Sequence, residues 1–245
     1  MVSVMPCTAK KFEIQRPEMF IDGLPNVDAV LTTRELGRMI REAGIDFAEL
    51  TDSEFDNPLG FSTGAADIFG ITGGVTEAAL RTVYEVITGR KVPFENLAIT
   101  PVRGFEQVKE TAVTFENVLP KYKKLEGTTV RIAVTSGLAG AKKLMTQIVE
   151  QKSPYHFIED MGCPSGCIAG GGQPRPTTFE IREARMHAIY QEDMNKPKRK
   201  SHDNPFIKQL YDEYLGAPLG HKSHELLHTH YVERGRFNER LAANL

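Results

Sequence analysis

The feature that most constrains this chain is the run Met161-Gly162-Cys163-Pro164-Ser165-Gly166-Cys167-Ile168-Ala169-Gly170-Gly171-Gly172-Gln173-Pro174. Two thiols four residues apart, followed by three glycines, make a turn whose backbone can approach closely whatever the sulfurs hold. A buried free cysteine is commonly just a small hydrophobe, but that explains neither the spacing nor the glycines. Thiolates in such a turn suit an iron–sulfur cluster. Zinc is the rival, since it also takes four thiolate or imidazole ligands and His156 can supply a nitrogen. The C-x2-C knuckle usual in zinc ribbons is lacking, so iron–sulfur ligation is favoured. The third cysteine, Cys7, lies in Met5-Pro6-Cys7-Thr8-Ala9-Lys10-Lys11-Phe12-Glu13. A cubane takes four cysteines, and this chain has three.

The remaining totals exclude several classes. At 245 residues, 40% hydrophobic and 25% charged, the chain can bury a substantial core. A net charge of −2 offers no concentrated basic surface for nucleic acid, and Lys196, Lys198, Arg199 and Lys200 read as a solvated run. No apolar stretch approaches a membrane span. Residues 1–8 lack the basic-then-apolar pattern of a secretory signal. An odd cysteine count in a large chain is a poor disulfide framework, so a reducing cytoplasm is expected.

Periodicity predicts an α/β protein. Residues 2–5 read as the end of a buried strand delivering Cys7 into a loop, and 27–31 as a second strand. Thr32 or Thr33 caps a helix through Ala43, with Leu36, Met39 and Ile40 on its buried face and Gly44 at its end. A glycine-rich approach at 60–64 precedes a helix over 75–87, whose buried face is expected to carry Ala79, Leu80, Val83 and Ile87. Strands are expected at 97–100, 106–114 and 129–135, then a helix over 139–150, with His156-Phe157-Ile158 leading into the cysteine loop. Alternating strands and helices indicate largely parallel sheet layers flanked by helices. From 177 onward strand signals cease, and 179–194, 204–215 and 223–231 read as a helical tail, with 196–203 a polar linker. The domain boundary is set at 176/177, giving units 1–176 and 177–245.

Three further motifs need weighing. Lys10 is three residues from Cys7 and from Glu13; beside thiolates an ammonium supplies compensating charge, and Glu13 can fix its position. The run Phe69-Gly70-Ile71-Thr72-Gly73-Gly74 opens a helix but lacks both the P-loop and the dinucleotide order, so tight packing is the expected role. His224-Glu225-Leu226-Leu227-His228 matches the zinc-protease pattern, with His221 and His230 nearby. An exposed histidine-rich helix is the preferred reading.

Together these segments resemble the catalytic domain of iron-only (FeFe) hydrogenases. The run from Met5 to Glu13 is similar to that family's second cluster motif, and Glu159 through Pro174 to its third. Pro58-Leu59-Gly60 and residues 68–81 also fit, and the tail resembles the small-subunit-like segment through Ser201-His202-Asp203-Asn204-Pro205 and Leu226-Leu227-His228-Thr229-His230-Tyr231. The resemblance implies a 4Fe–4S cubane joined through one cysteine to a di-iron unit carrying CO, cyanide and a dithiolate bridge. By motif, Cys7 and Cys163 hold the cubane, and Cys167 both holds it and bridges to the di-iron unit. Lys10 bonds a cyanide, while Met5, Met161 and Phe69 line the pocket; Gly162 stands where the family often has alanine. Such a site cleaves hydrogen heterolytically at an open iron position, with the bridge amine taking the proton. The physical roles agree with soft thiolates for iron, a cation for anionic ligands and apolar walls against water.

The family's first cluster motif, with two adjacent cysteines, precedes its second, and this chain begins just before the second. The resemblance therefore implies an incomplete two-lobed domain, inactive alone, whose fourth cubane ligand comes from a separate or upstream segment bearing the vicinal cysteines. It also implies a ferredoxin or an NAD(P)-linked flavoprotein as electron partner, and cluster maturation proteins. A non-catalytic iron–sulfur assembly-factor-like protein is the alternative, with the zinc protease behind it.

Overall fold

The structure, a computed structural model, describes residues 1–54, 56 and 61–229. Pro58-Leu59-Gly60 and His230-Tyr231 of the sequence reading lie outside the described residues.

The chain begins with β1 (Val2–Met5), a short α1 (Lys10–Glu13), a hairpin of β2 (Phe20–Ile21) and β3 (Leu24–Pro25), β4 (Ala29–Thr32) and α2 (Thr33–Glu42). β1 and β4 pair in parallel, Val2 opposite Ala29 through Met5 opposite Thr32. Thr32 ends β4 and caps α2, accepting the Glu35 N–H while the Glu35 carboxylate accepts the Thr32 N–H. This reciprocal pair satisfies two otherwise orphaned donors. Gly44 follows in the left-handed region, as expected of the helix stop. The burial expected of this region is not found. Val2 and Val4 of β1 are exposed, as is Met39 of α2, and no residue of α2 is fully buried. Among the described residues, neither β1 nor β4 has a second strand beside it.

The body comprises α3 (Gly64–Asp67), α4 (Gly74–Thr88), β5 (Val108–Thr114), β6 (Thr129–Ser136), α5 (Gly137–Val149) and β7 (Phe157–Met161). Its three strands lie in the order β5-β6-β7, with β5–β6 antiparallel and β6–β7 parallel across α5. The sheets are thus mixed, still within the α/β layer class. One core gathers Leu80, Tyr84 and Ile87 of α4 against Val113, Ile132 and Val134 of the sheet. A second holds Ala65, Ile68, Ile71, Ala78, Ile168 and Tyr190.

Two expectations in the body are corrected. The strand at 97–100 is a pair of tight turns, Glu95–Leu97 and Thr100–Val102, with Asn96 and Leu97 at positive φ. That conformation presents the Leu97 carbonyl to Arg81 Nε at 3.0 Å. On α4, Ala79 and Val83 are exposed while Glu77 and Arg81 are fully buried. Arg81 bonds Glu77 at 2.5 Å and both oxygens of Asp193 at 2.8 Å, and Arg103 completes the Glu77 carboxylate at 2.6 and 2.8 Å. Charges this deep persist because each is paired and bonded, which hydropathy patterning cannot foresee.

The tail runs α6 (Phe179–Asn195), α7 (Pro205–Leu210), a π-helical turn (Tyr211–Leu215) and α8 (His221–Leu227). The basic run before α7 is not a solvated face. Lys196 pairs with Glu192 and Arg199 with Asp193, both on α6, while Lys200 pairs with Glu85 and so fastens the tail to α4.

Candidate functional site

Cys7 leaves the C-terminal end of β1, and Cys163 and Cys167 leave the C-terminal end of β7. The two segments meet through the glycines. Gly172 N–H donates to Pro6 O at 3.1 Å, and a side chain on Gly170 would run into that same oxygen. A Cβ on Gly172 would stand 2.9 Å from both the Pro6 carbonyl carbon and Thr32. Arg34 closes the joint from α2, its guanidinium bonding Gly171 O at 2.9 Å. The three glycines are therefore what bring the two cysteine segments side by side.

The loop between the thiols is closely held. Ser165 and Gly166 both take positive φ, and Gly166 N–H returns to Cys163 O at 2.9 Å. Ser165 N–H donates to Ser136 Oγ at 3.0 Å, and Cys167 O accepts from Gly170 N–H at 3.0 Å and Gln173 Nε2 at 3.3 Å. Ile168, beside Cys167, is 2% exposed and anchors the turn in the second core. Its carbonyl accepts Arg185 Nη1 at 2.8 Å.

All three cysteines are free and half-buried. Burial pushes the Cys167 thiol up; Cys7 and Cys163 push it further, and Lys10 draws it back. The Lys10 ammonium pairs with Glu13 at 2.7 Å, as the spacing suggested, and its pKa is raised by Glu13 and then by Cys7 and Cys167. Three thiols and one cation thus share a single electrostatic neighbourhood. Met5 and Met161 are half-buried at the ends of β1 and β7, while Phe69, on the turn before α4, is 47% exposed.

Among the described residues no three His, Cys, Asp or Glu side chains converge on one metal ion. His156 stands just before β7, at the end opposite the cysteines, and its Nδ1 accepts Arg131 N–H at 3.0 Å, which removes it as a zinc ligand. The protease-like histidines belong to a short exposed helix: His224 lies in α8, His228 at its C-cap, their Nδ1 atoms 2.6 Å apart without a third ligand among the described residues. The glycines at 70–74 pack as expected. A side chain on Gly74 would strike Ile68 O, and the α4 N-terminus is filled by Glu159, whose carboxylate accepts Gly73 N–H at 2.6 Å and Thr76 N–H at 2.8 Å. Lys109 carried no sequence signal beyond being a charged residue in a strand-like run, and Glu159, though it opens the stretch resembling the third cluster motif, was given no role.

Known proteins match this arrangement. The chain is 49% identical over 239 residues to the NADP-reducing hydrogenase subunit HndD of Solidesulfovibrio fructosivorans, covering 96% of this chain and 38% of the relative. It is 43% identical over 235 residues to iron hydrogenase 1 of Clostridium pasteurianum, covering 94% of this chain and 39% of the relative. Protein NAR1 of Arabidopsis thaliana is more distant, 31% identical over 247 residues, with 94% of this chain and 49% of the relative covered. Among solved structures, a variant of the FeFe-hydrogenase HydA1 from Chlamydomonas reinhardtii superposes with a TM-score of 0.78 and 46% identity, covering 95% of this chain and 63% of that one. The chain thus spans about two fifths of the length of the two hydrogenase relatives. The family described as "Iron only hydrogenase large subunit, C-terminal domain" matches residues 1–171, and "Iron hydrogenase small subunit" matches 179–234. With cysteine segments, fold and family match in agreement, the chain belongs to the iron-only hydrogenase large-subunit family.

Proposed function

We propose that this chain provides three thiolates and one wall of the cluster site of an iron hydrogenase that interconverts hydrogen with protons and electrons. The observation that carries the reading is the joint between Pro6 and Gly170–Gly172, which puts Cys7 beside Cys163 and Cys167 with Lys10 facing them. Three cysteines gathered by one joint, with His156 at the other end of β7, suit iron–sulfur ligation better than zinc. The donor set fits a 4Fe–4S group, and a di-iron unit with CO, cyanide and a bridging dithiolate belongs beyond Cys167. Such a group, when bound, supplies the hydrogen chemistry.

The chain's own residues hold and shield it. Cys7, Cys163 and Cys167 would hold the cubane, and Cys167 would also be the thiolate shared with the di-iron unit. Buried thiolates need compensating charge, and Lys10, held by Glu13, provides it and donates to an anionic ligand such as cyanide. Met5, Met161 and Phe69 form apolar walls that limit water. The body to 176 carries this site and the part from 177 onward braces it through Tyr190, Asp193, Arg199 and Lys200.

The fourth ligand comes from a segment with vicinal cysteines that covers the exposed apolar side of β1 and α2, adjacent to Cys7. Electrons pass to a ferredoxin or NAD(P)-linked flavoprotein, a reading supported by the similarity to a subunit named NADP-reducing. Maturation proteins install the di-iron unit. No described helix is long and apolar enough to cross a membrane.

Infrared spectroscopy tests the reading. After co-expression with the upstream part of HndD and maturation proteins, CO and cyanide stretching bands and hydrogen-dependent dye reduction are expected, and both are lost in Cys167→Ser. A cubane without those bands would assign the chain to the assembly-factor class.

A further inference from the structure

Lys109 and Glu159 are two buried charges that the cluster site does not use, at 3% and 6% exposure. They stand in one row of the three-stranded sheet, since Lys109 on β5 faces Val134 on β6, and Val134 faces Glu159 on β7. Directly paired residues project to the same face of a sheet, so both side chains reach toward the turn before α4.

Their targets belong to one peptide unit. Lys109 Nζ donates to Thr72 O at 2.8 Å, and Glu159 Oε1 accepts Gly73 N–H at 2.6 Å. That oxygen and that N–H are the two ends of the Thr72–Gly73 peptide. The positive group sits on its negative end and the negative group on its positive end, which opposes any flip of the plane. Lys109 also bonds Gly104 O at 3.0 Å, and Glu159 also takes Thr76 N–H at 2.8 Å, so each clamp arm is itself fixed. Burial pushes Lys109 down to about 8, against the pull of Glu159 and Glu106.

The clamped turn is the floor of the cysteine loop. The preceding amide, Thr72 N–H, donates to Ser165 O at 3.3 Å. Gly166 rests so close that a Cβ there would stand 2.8 Å from Thr72 N and 3.0 Å from Gly70 O. Phe69 lies on the same turn. A rotation of the Thr72–Gly73 peptide would move the surface against which the Cys163–Cys167 loop is seated.

We propose that Lys109 and Glu159 are positioning residues that, by gripping the two ends of the Thr72–Gly73 peptide, set where the Cys163–Cys167 loop and Phe69 stand. The consequence for a cluster rests on the function proposed above; the clamp itself does not. Hydrogen exchange read by mass spectrometry on the full chain without metal therefore tests it independently. Lys109→Met keeps the bulk and removes the donor. Exchange in 161–169 and 68–76 is expected to rise about tenfold or more while β6 stays protected. Should Lys109→Met not fold, Glu159→Gln, which keeps the shape and one acceptor, carries the same test.

The double variant Lys109→Met with Glu159→Gln separates positioning from stability. It removes both buried charges, so its melting temperature is expected to recover toward the parent while exchange in 161–169 stays fast. Exchange in that loop that is unchanged in a folded single variant, or that recovers in step with the melting temperature, would overturn the proposal. If the clamp holds and no variant or parent takes up iron, the failure lies with the proposed function instead.

Discussion

The two ends of the first hundred residues solve burial in opposite ways. Around α4, charged side chains go inside: Arg81 and Glu77 are fully buried, and every charge finds a partner. Around β1 and α2, apolar side chains stay outside, with Val2 58% and Met39 57% exposed and the two-stranded parallel sheet lacking a further neighbour among the described residues. Parallel sheets are ordinarily covered on both faces, and two strands alone are marginal. The body buries its charges in its own contacts, whereas the layer carrying Cys7 leaves apolar side chains uncovered. In the function proposed above, the ligand short of four would come from the side where this surface is open.

The largest effect is expected where the finished region is broken. Arg81→Met removes the buried cation that Glu77 and Asp193 share, leaving Glu77 to Arg103 and Asp193 to Arg199, and is expected to cost about 3–5 kcal/mol in denaturant unfolding. A cost below about 1 kcal/mol would mean that the network is ornamental. Next comes the joint between regions. Gly170→Ala forces Pro6 away and is expected to cost roughly 1–3 kcal/mol and to lower iron uptake after chemical reconstitution. Unaltered iron uptake would show that Cys7 does not share a site with the loop.

The open layer should behave in reverse. Val4→Lys and Met39→Glu are expected to shift the unfolding of the chain alone by no more than about 0.5 kcal/mol. The same changes are expected to abolish co-purification with the upstream part of HndD. Marked destabilisation of the isolated chain would instead make this layer a self-sufficient core. The smallest effect concerns the capping box of α2. Glu35 is drawn down to about 2 by the Thr32 N–H, then by Lys11. A carboxylate with a lowered pKa stabilises fully above its ordinary value of 4.5 and loses that contribution as the pH falls toward 2. The acid-induced loss of helix signal between those values should therefore be shallower in Glu35→Gln.

The elements were legible wherever local rules act. Thr32, offered beside Thr33 as the cap, announced the start of α2, Gly44 its end, and the glycines at 170–172 announced flexible backbone beside the thiols. What escaped was set by distant partners. Hydropathy placed Ala79 and Val83 inside because nothing local reveals that Arg81 is met by Asp193, far along the chain. The run 97–100 looked like a strand because Leu97 and Ile99 are apolar, yet Leu97 is turned to offer its carbonyl to that same arginine. Lys109 and Glu159 were invisible as a pair because their common target is a peptide bond, which has no sequence signature. Among the residues proposed for the cluster, the thiols stood out by type and spacing and Lys10 only through the family resemblance, whereas His156, weighed as a zinc ligand for its proximity along the chain, lies at the other end of β7.

The most direct test of the central claim is the iron and acid-labile sulfide content of the chain, alone and in complex with the upstream part of HndD, after anaerobic reconstitution. The account predicts about four iron and four sulfide per complex, with a substoichiometric, easily chelated cluster on the chain alone, and loss of the bound iron in Cys7→Ser, Cys163→Ser or Cys167→Ser. A full and stable cluster on the chain alone, or one indifferent to Cys7, would contradict it.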